Sequence, residues 1–370
     1  MEVQFGKTVN LSQAASLIKN NPDLTFLLQG EPGIGKSSIL ESIAEDLGYE
    51  HAYIDVPNMD LGDIAMPVID HATRTTKYYP NARFKIHGRE IDVNNPSSTH
   101  NPNHKPKPVV IMLDEFTKGP DPVKNMLHPM FEKKNRRLGS ESLLPQDIVF
   151  LTGNQSADGV GDSMKAHTRS RIVPVTVRKP DADEWVAWGI NHDIAPEVLA
   201  FVSRYPHVMA SYMDESQKDN PYIFHPKRAQ QSFICPRSLH TASSIVKNRK
   251  HYDSDSLIAA LTGAIGEAGA RDLQAFIEFA DQLPTWEATV TQPKVAPVPT
   301  SPGACAVVVF GAISRVTEKT IAPFMEYLER FETEWQAVFA VQIAKTASKQ
   351  SIAFGCNKFA NWLAANQDLL

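Results

Sequence analysis

Apolar and polar positions follow two rhythms in the first half of this chain. Between Leu11 and Val177, short apolar runs alternate with longer stretches in which apolar residues recur every three or four positions. The first rhythm predicts buried strands and the second amphipathic helices, and their alternation predicts an α/β unit built on a parallel sheet. Strands are expected at Thr25–Gln29, His51–Val56, Val109–Leu113, Ile148–Thr152 and Ile172–Val177, with helices at Leu11–Asn20, Ser37–Leu47 and Pro122–Lys133. The run Val109-Val-Ile-Met-Leu113 is apolar throughout, as suits a strand covered on both faces.

Two stretches interrupt this alternation. Thr73 to Pro108 is polar and rich in Asn, Pro and His, and reads as an insertion with a short hairpin around Phe84–Val93. Arg136 to Gln146 reads as a smaller insertion that turns before the Ile148 strand. After Lys179-Pro180 the pattern is mostly helical, with amphipathic spacing at Asp183–His192, Pro196–Tyr205, Arg237–Lys250 and Ser254–Phe279. Asp181 to Asp183 supply capping chemistry for the first of these helices. Pro293 to Pro302 reads as a semi-rigid linker, followed by a last helical segment from about Glu318 to Leu363. The expected organisation is an α/β core over 1–180 with insertions near 73–108 and 136–146, then a helical region over 181–285. A Pro-rich linker over 286–303 and a mostly helical C-terminal segment over 304–370 complete it. No internal repeat is visible.

Composition narrows the class. The chain has 370 residues, 42% hydrophobic and 21% charged, which fits a soluble globular protein of two or three domains. Its net charge of −5 gives no overall pull toward nucleic acid or an anionic membrane. Residues 71–140 differ locally, with 13 Lys and Arg against six Asp and Glu. That excess suits a basic pore or nucleic-acid surface, or simply a solvated insertion. No run approaches the roughly 18 apolar residues of a membrane span. The start, Met1-Glu-Val-Gln-Phe-Gly-Lys7, lacks the pattern of a signal peptide. Cys235, Cys305 and Cys356 are odd in number and far apart, as expected of reduced thiols in a cytoplasmic protein. His100 and His104 are four apart, but the Pro between them breaks the helix that a metal-binding pair needs.

The densest chemistry lies at Gly30-Glu31-Pro32-Gly33-Ile34-Gly35-Lys36-Ser37-Ser38, between an expected strand and an expected helix. This is the phosphate-binding pattern G-x-x-x-x-G-K-[ST] in its strand–loop–helix setting. Its glycines let main-chain N–H groups close around a phosphate, Lys36 reaches the β- and γ-phosphates, and the Ser37 hydroxyl holds Mg²⁺. The Val109 strand ends in Asp114-Glu115. A carboxylate there suits Mg²⁺ held through water, and the next one suits a general base on the attacking water. A strand ending in solvated acids would look the same; the pairing with the phosphate loop gives it meaning. Asn154, after the Ile148 strand, is placed to orient that water. Arg169 and Arg171 lie just before the fifth strand and Arg237 at a helix start; each is a permanent cation able to span phosphate oxygens.

In this order the elements resemble the AAA+ ATPases: Walker A, Walker B, a sensor-1 Asn, an arginine finger, and a sensor-2 Arg in a helical lid. The likeness is narrower to the MoxR-type, or dynein-related, branch. Asn58-Met-Asp60-Leu61-Gly62-Asp63, Leu113-Asp-Glu-Phe116 through Glu132, and Gly263-Ala-Ile-Gly-Glu-Ala-Gly-Ala270 carry it, over about residues 5–285. The resemblance implies an AAA+ P-loop core with a parallel sheet, a helical lid and a C-terminal mostly helical extension. It implies ATP and Mg²⁺ as cofactors, with Ser37 and Asp114 at the metal. It implies Glu115 as base, Asn154 as sensor 1, Arg171 as the finger by position with Arg169 in reserve, and Arg237 as sensor 2. It also implies a homo-oligomeric ring, hexameric in such proteins, that acts as a chaperone on a protein client, often one with a von Willebrand factor A domain. The family often has Asp-Arg-Phe at the finger where this chain has Ser170-Arg171-Ile172, and Lys-Thr where it has Lys36-Ser37. Residues 286–370 lie outside the resemblance. Two other readings use the same engine: a nucleic-acid motor or loader, and an ATP-gated assembly scaffold with slow hydrolysis.

Overall fold

The computed structural model describes residues 7–86, 107–154, 166–226 and 232–369, and the chain divides into two compact units, Met1–Lys179 and Pro180–Leu370. In the first unit, α1 (Leu11–Lys19) is capped by Asn10, whose side chain accepts from Gln13 N while the Gln13 side chain accepts from Asn10 N. It precedes β1 (Thr25–Gln29), α2 (Ser38–Leu47), β2 (Glu50–Asp55), α3 (Leu61–Ile64), β3 (Ala65–Asp70) and β4 (Thr75–Pro80). Then come β5 (Val109–Asp114), α4 (Asp121–Leu127), β6 (Arg137–Leu138), β7 (Glu141–Ser142), β8 (Ile148–Gly153), α5 (Ala166–Arg169) and β9 (Ile172–Thr176). The main sheet has the order β2-β5-β8-β1-β9 and every pairing in it is parallel.

Alternation along the strands divides the core in two. Phe26, Leu28, Val110, Met112, Ile148 and Phe150 pack with Ile39 and Ile43 of α2 and with Ala14 and Ile18 of α1. Leu27, Ile111, Leu113, Val149 and Leu151 point the other way, onto Val123 and Leu127 of α4. Covered on both sides, β1, β5 and β8 carry the continuous apolar runs that predicted them.

One local expectation changes, one falls largely outside the described residues, and one is met. The helix expected through Lys133 ends as α-helix at Leu127 and continues as a 3₁₀ turn, His128–Phe131, because Pro129 brings no N–H to the ladder. The hairpin expected around Phe84–Val93 lies largely outside the described residues. A hairpin forms earlier in the chain, where β3 pairs antiparallel with β4. The small insertion does turn, through the two-residue pair β6–β7. Ser140 at its tip donates its N–H to Tyr78 O at 2.8 Å and accepts from Tyr78 N at 3.1 Å, fastening the two hairpins together.

Asp147 anchors the other end of that turn. It is fully buried, and its carboxylate accepts from Val109 N at 2.8 Å and Leu144 N at 2.7 Å. Arg136 lies beside it, buried, donating to the carbonyls of Met130, Pro22 and Asp147. Burial lowers the Arg136 pKa, and the charges of Asp147 and Asp23 oppose that shift. Replacing Asp147 by Ala removes the larger of the two charges that compensate the buried Arg136 cation and leaves the N–H groups of Val109 and Leu144 without that acceptor. A loss of about 3 kcal/mol is expected, read as an earlier urea midpoint at unchanged slope.

The second unit is helical: α6 (Ala182–Asn191), α7 (Pro196–Arg204), α8 (Pro236–Lys247), α9 (Ser254–Asp281), α10 (Trp286–Thr291), α11 (Pro302–Arg315), α12 (Ile321–Leu328), α13 (Thr333–Lys345), α14 (Gln350–Phe354) and α15 (Asn357–Ala365). Asp181 caps α6, accepting from Glu184 N at 2.8 Å. α9 is broken at Gly266, whose φ of 78° lies outside the helical range. One apolar cluster runs from Ala182 to Trp362, so the helical region over 181–285 and the C-terminal segment share a core. The Pro-rich run between them lies within this unit. Arg330 Nη1 donates to Pro293 O and Ala296 O, each at 2.7 Å, and the Tyr327 hydroxyl donates to Pro297 O at 2.6 Å. Cys235, Cys305 and Cys356 are free and buried, and burial pushes the Cys305 thiol up to about 11. Among the described residues, no helix is long and apolar enough to cross a membrane.

Candidate functional site

The site is assembled at the carboxyl ends of β1, β5 and β8, where open parallel sheets bind ligands. Register brings its parts level. Leu28 lies beside Thr152, Gln29 beside Gly153, and Leu113 beside Leu151. Asp114 and Thr152 are therefore neighbours, and the loop from Gly30 begins at the level of Asn154. Strand alternation also sets the face: Asp114 follows Met112 and Thr152 follows Phe150, both on the side covered by α2.

The loop Gly30–Ser37 makes a tight path between β1 and α2. Gly33 and Gly35 have φ values of 72° and 103°, which side-chain-bearing residues rarely adopt. At Gly30 a Cβ would stand 2.6 Å from Val177 O, so the backbone needs the missing side chain there. Ile34 is buried among the residues that pack α2 on the sheet, which pins the loop from beneath. Ser37 is the N-cap of α2 but makes no side-chain cap bond, whereas the Ser38 hydroxyl donates to Gly35 O at 2.7 Å. Among the described residues, the N–H groups of Gly33, Gly35 and Ser37 have no protein acceptor. With the positive end of the α2 dipole behind them, they form a concave donor set of the kind that binds phosphate. Glu31 and Lys36 are buried, and the Lys36 ammonium donates to Gly30 O and Glu31 O, both at 2.8 Å. Its charge is thus held over the loop, where a phosphate would lie. Pro32, between Glu31 and Gly33, is half-buried in the same turn.

Asp114 is half-buried, and both of its oxygens are engaged. The Thr152 hydroxyl donates to Oδ1, and the Tyr53 hydroxyl donates to Oδ2 at 2.7 Å. Thr152 Oγ1 also accepts from Glu115 N at 3.0 Å, so one buried hydroxyl ties the end of β5 to β8. Glu115 has a φ of 49°, in the left-handed region, which costs a residue with a Cβ about 1 kcal/mol. Such strain is held where a side chain must be aimed. Its carboxylate meets Lys118 Nζ at 2.9 Å, in a pair with side chains 40% and 29% exposed. A pair this exposed is worth at most about 1 kcal/mol, so Lys118 holds the Glu115 carboxylate only weakly.

The donor set suits Mg²⁺. Among the described residues, no cluster of three or more His, Cys, Asp or Glu is able to hold a metal by itself. The site instead offers one hydroxyl, Ser37 Oγ, and one carboxylate, Asp114. Mg²⁺ is commonly held this way, completing its shell with phosphate oxygens and water.

The arginines differ in their surroundings. Arg171 Nε donates to Glu132 Oε1 at 2.9 Å, tying the start of β9 to the end of the His128–Phe131 turn. Arg169 is exposed and has no ion-pair partner among the described residues. Arg237 is the second residue of α8 in the other unit, also exposed. A cation at a helix N-terminus opposes the dipole, so local stability does not explain its presence. Thr152, Tyr53, Lys118 and Glu132 were not singled out from the sequence. Thr152 was the most accessible of them, because it falls level with Asp114 once the strand ends are set side by side.

Residues 25–172 match the family model described as AAA domain (dynein-related subfamily), a match that begins at β1 and ends at the first residue of β9. No curated protein matches the chain. Among solved structures, NtrX from Brucella abortus in complex with ADP is 10% identical, covering 97% of this chain and 67% of its own, with a TM-score of 0.33. A RuvB point mutant from Thermotoga maritima is 14% identical, covering 84% of this chain and 86% of its own, with a TM-score of 0.36.

Proposed function

We propose that this chain, whose first unit contains a P-loop AAA+-type ATPase domain, is a Mg²⁺-dependent ATPase of the MoxR type that assembles into a ring and remodels a partner protein. The observation that carries the hydrolytic reading is the convergence, at one end of the sheet, of a phosphate loop with surplus N–H donors and the pair Asp114-Glu115. The loop N–H groups and Lys36 bind the phosphates, and Ser37 and Asp114 hold the cation. Mg²⁺, when bound, would supply charge neutralisation of the phosphates. Glu115 takes the proton of the attacking water at its carboxylate once freed from Lys118, and Asn154 orients that water. The family resemblance gives Arg237 the sensor-2 role.

The sequence order favours Arg171 as the finger. Arg171 pairs with Glu132, whereas Arg169 is exposed with no ion-pair partner among the described residues, and this difference tips the proposal to Arg169. A finger supplied by one copy to the next is a head-to-tail contact, which closes into a ring or runs on as a filament. The family resemblance favours a hexameric ring, with a von Willebrand factor A domain protein as client.

The β3–β4 ribbon supports a protein client. Met66, Val68, Ile69 and Tyr78 are 58%, 49%, 62% and 47% exposed, on both faces of a two-stranded hairpin. Apolar surface of this kind suits a polypeptide better than a phosphate backbone. The test is ATP turnover against protein concentration. Specific activity is expected to rise with concentration and then level off as rings form. Turnover proportional to protein from the lowest concentration would exclude a shared site.

A further inference from the structure

Tyr53 has no part in the chemistry above, yet its hydroxyl donates to Asp114 Oδ2 at 2.7 Å. It comes from β2, the edge strand, where it lies beside Met112 and hence on the same face as Asp114, one diagonal step away. The side chain is about half exposed, with a residue exposure of 52%, so core packing does not account for an aromatic residue here. Thr152 takes the other oxygen, and the two hydroxyls grip the carboxylate from both sides. Each oxygen keeps acceptor capacity, because a carboxylate offers about four lone-pair sites. Both partners are also neutral. A Lys or Arg in either place would compete with a metal ion for the carboxylate's charge; a hydroxyl orients it and leaves that charge available.

We infer that Tyr53 is a positioning residue for the divalent-cation site: its hydroxyl fixes the Asp114 carboxylate toward the cation and so sets how tightly the nucleotide site holds Mg²⁺. The inference rests on the reading of Asp114 as the carboxylate that faces the cation. Outer hydrogen bonds to a metal-directed ligand typically change metal affinity 10- to 100-fold when removed.

The test compares the affinity of the full chain for a fluorescent ATP analogue in Mg²⁺ and in EDTA. The ratio of the two affinities reads the contribution of the cation. Tyr53→Phe is expected to leave the EDTA affinity unchanged and to cut the Mg²⁺-dependent gain about tenfold. Asp114→Asn is expected to abolish the gain. A full gain in Tyr53→Phe with the gain lost in Asp114→Asn would overturn the role of Tyr53 alone. A full gain in both variants would remove the cation reading of Asp114 and this inference with it. Weaker binding of Tyr53→Phe in EDTA as well would show that the tyrosine holds the fold, and would overturn the inference too.

Discussion

A Glu115→Gln variant is expected to bind ATP as the wild type does and to turn it over about 10²- to 10⁴-fold more slowly, the range that a positioned general base supplies. The separation of binding from turnover follows from the geometry. In the function proposed above, the phosphates are bound by the loop N–H groups and Lys36, and Lys36 donates to Gly30 O and Glu31 O, not to Glu115. Glutamine keeps the size of the side chain, and the Glu115 N–H keeps its bond to Thr152, so the left-handed backbone persists. Only the proton acceptor is lost. Glutamine also loses the charge that pairs with Lys118, and Lys118→Ala isolates that effect. This control is expected to keep most of the turnover, because the exposed pair is worth at most about 1 kcal/mol. Binding measured with a fluorescent nucleotide and turnover from phosphate release decide the matter. Unchanged turnover in Glu115→Gln would remove Glu115 as the base.

Arg169→Ala is expected to lower turnover about 10³-fold or more and to abolish its rise with concentration, since an arginine finger is worth 10³ to 10⁵. Arg171→Ala should do less, because Arg171 already meets Glu132 in its own chain, and loss of a pair this exposed costs at most about 1 kcal/mol at the start of β9. A mixing experiment separates a shared site from a local defect. Lys36→Ala subunits lack the phosphate-binding ammonium but carry Arg169, and Arg169→Ala subunits have the converse defect. Combined, the two inactive variants should recover part of the activity, at interfaces where an intact loop meets an intact arginine. No recovery, together with activity lost in Arg171→Ala, would return the assignment to Arg171.

How legible the site was depends on the range of the interactions that build it. The phosphate loop is local: Gly30 to Ser37 are consecutive, and strand before and helix after follow from periodicity alone. Asp114-Glu115 and Asn154 were legible for a related reason, since each ends an apolar run and strand ends gather on one edge of a parallel sheet. Tyr53 and Thr152 were not legible as partners of Asp114, because their contacts depend on register between strands 61 and 38 positions apart. The ion pair that distinguishes Arg171 from Arg169 spans 39 positions, and nothing near Glu132 announces it.

The helical half shows the same division. Asp181 and the amphipathic spacing after it were enough to locate α6 and α7. α11 falls in the segment expected to be mostly helical, but its own bounds are not visible in the sequence, because Val307-Val-Val309 and Gly311 are poor helix formers and the run is apolar with little period. It is helical because it lies in the middle of the second unit, packed against α7, α9 and α13, where tertiary burial outweighs propensity. The Pro-rich run reads as a spacer by composition, yet Tyr327 and Arg330 bind its carbonyls. The sequence by itself determined the strands of the main sheet, the class of fold and the phosphate-loop pattern, because all three follow from short-range pattern. Only the tertiary structure decided which side chains bond to Asp114, which arginine pairs with Glu132, and that the last helices share a core with the lid. Those outcomes depend on burial and on contacts between residues far apart in the chain, which local pattern does not encode.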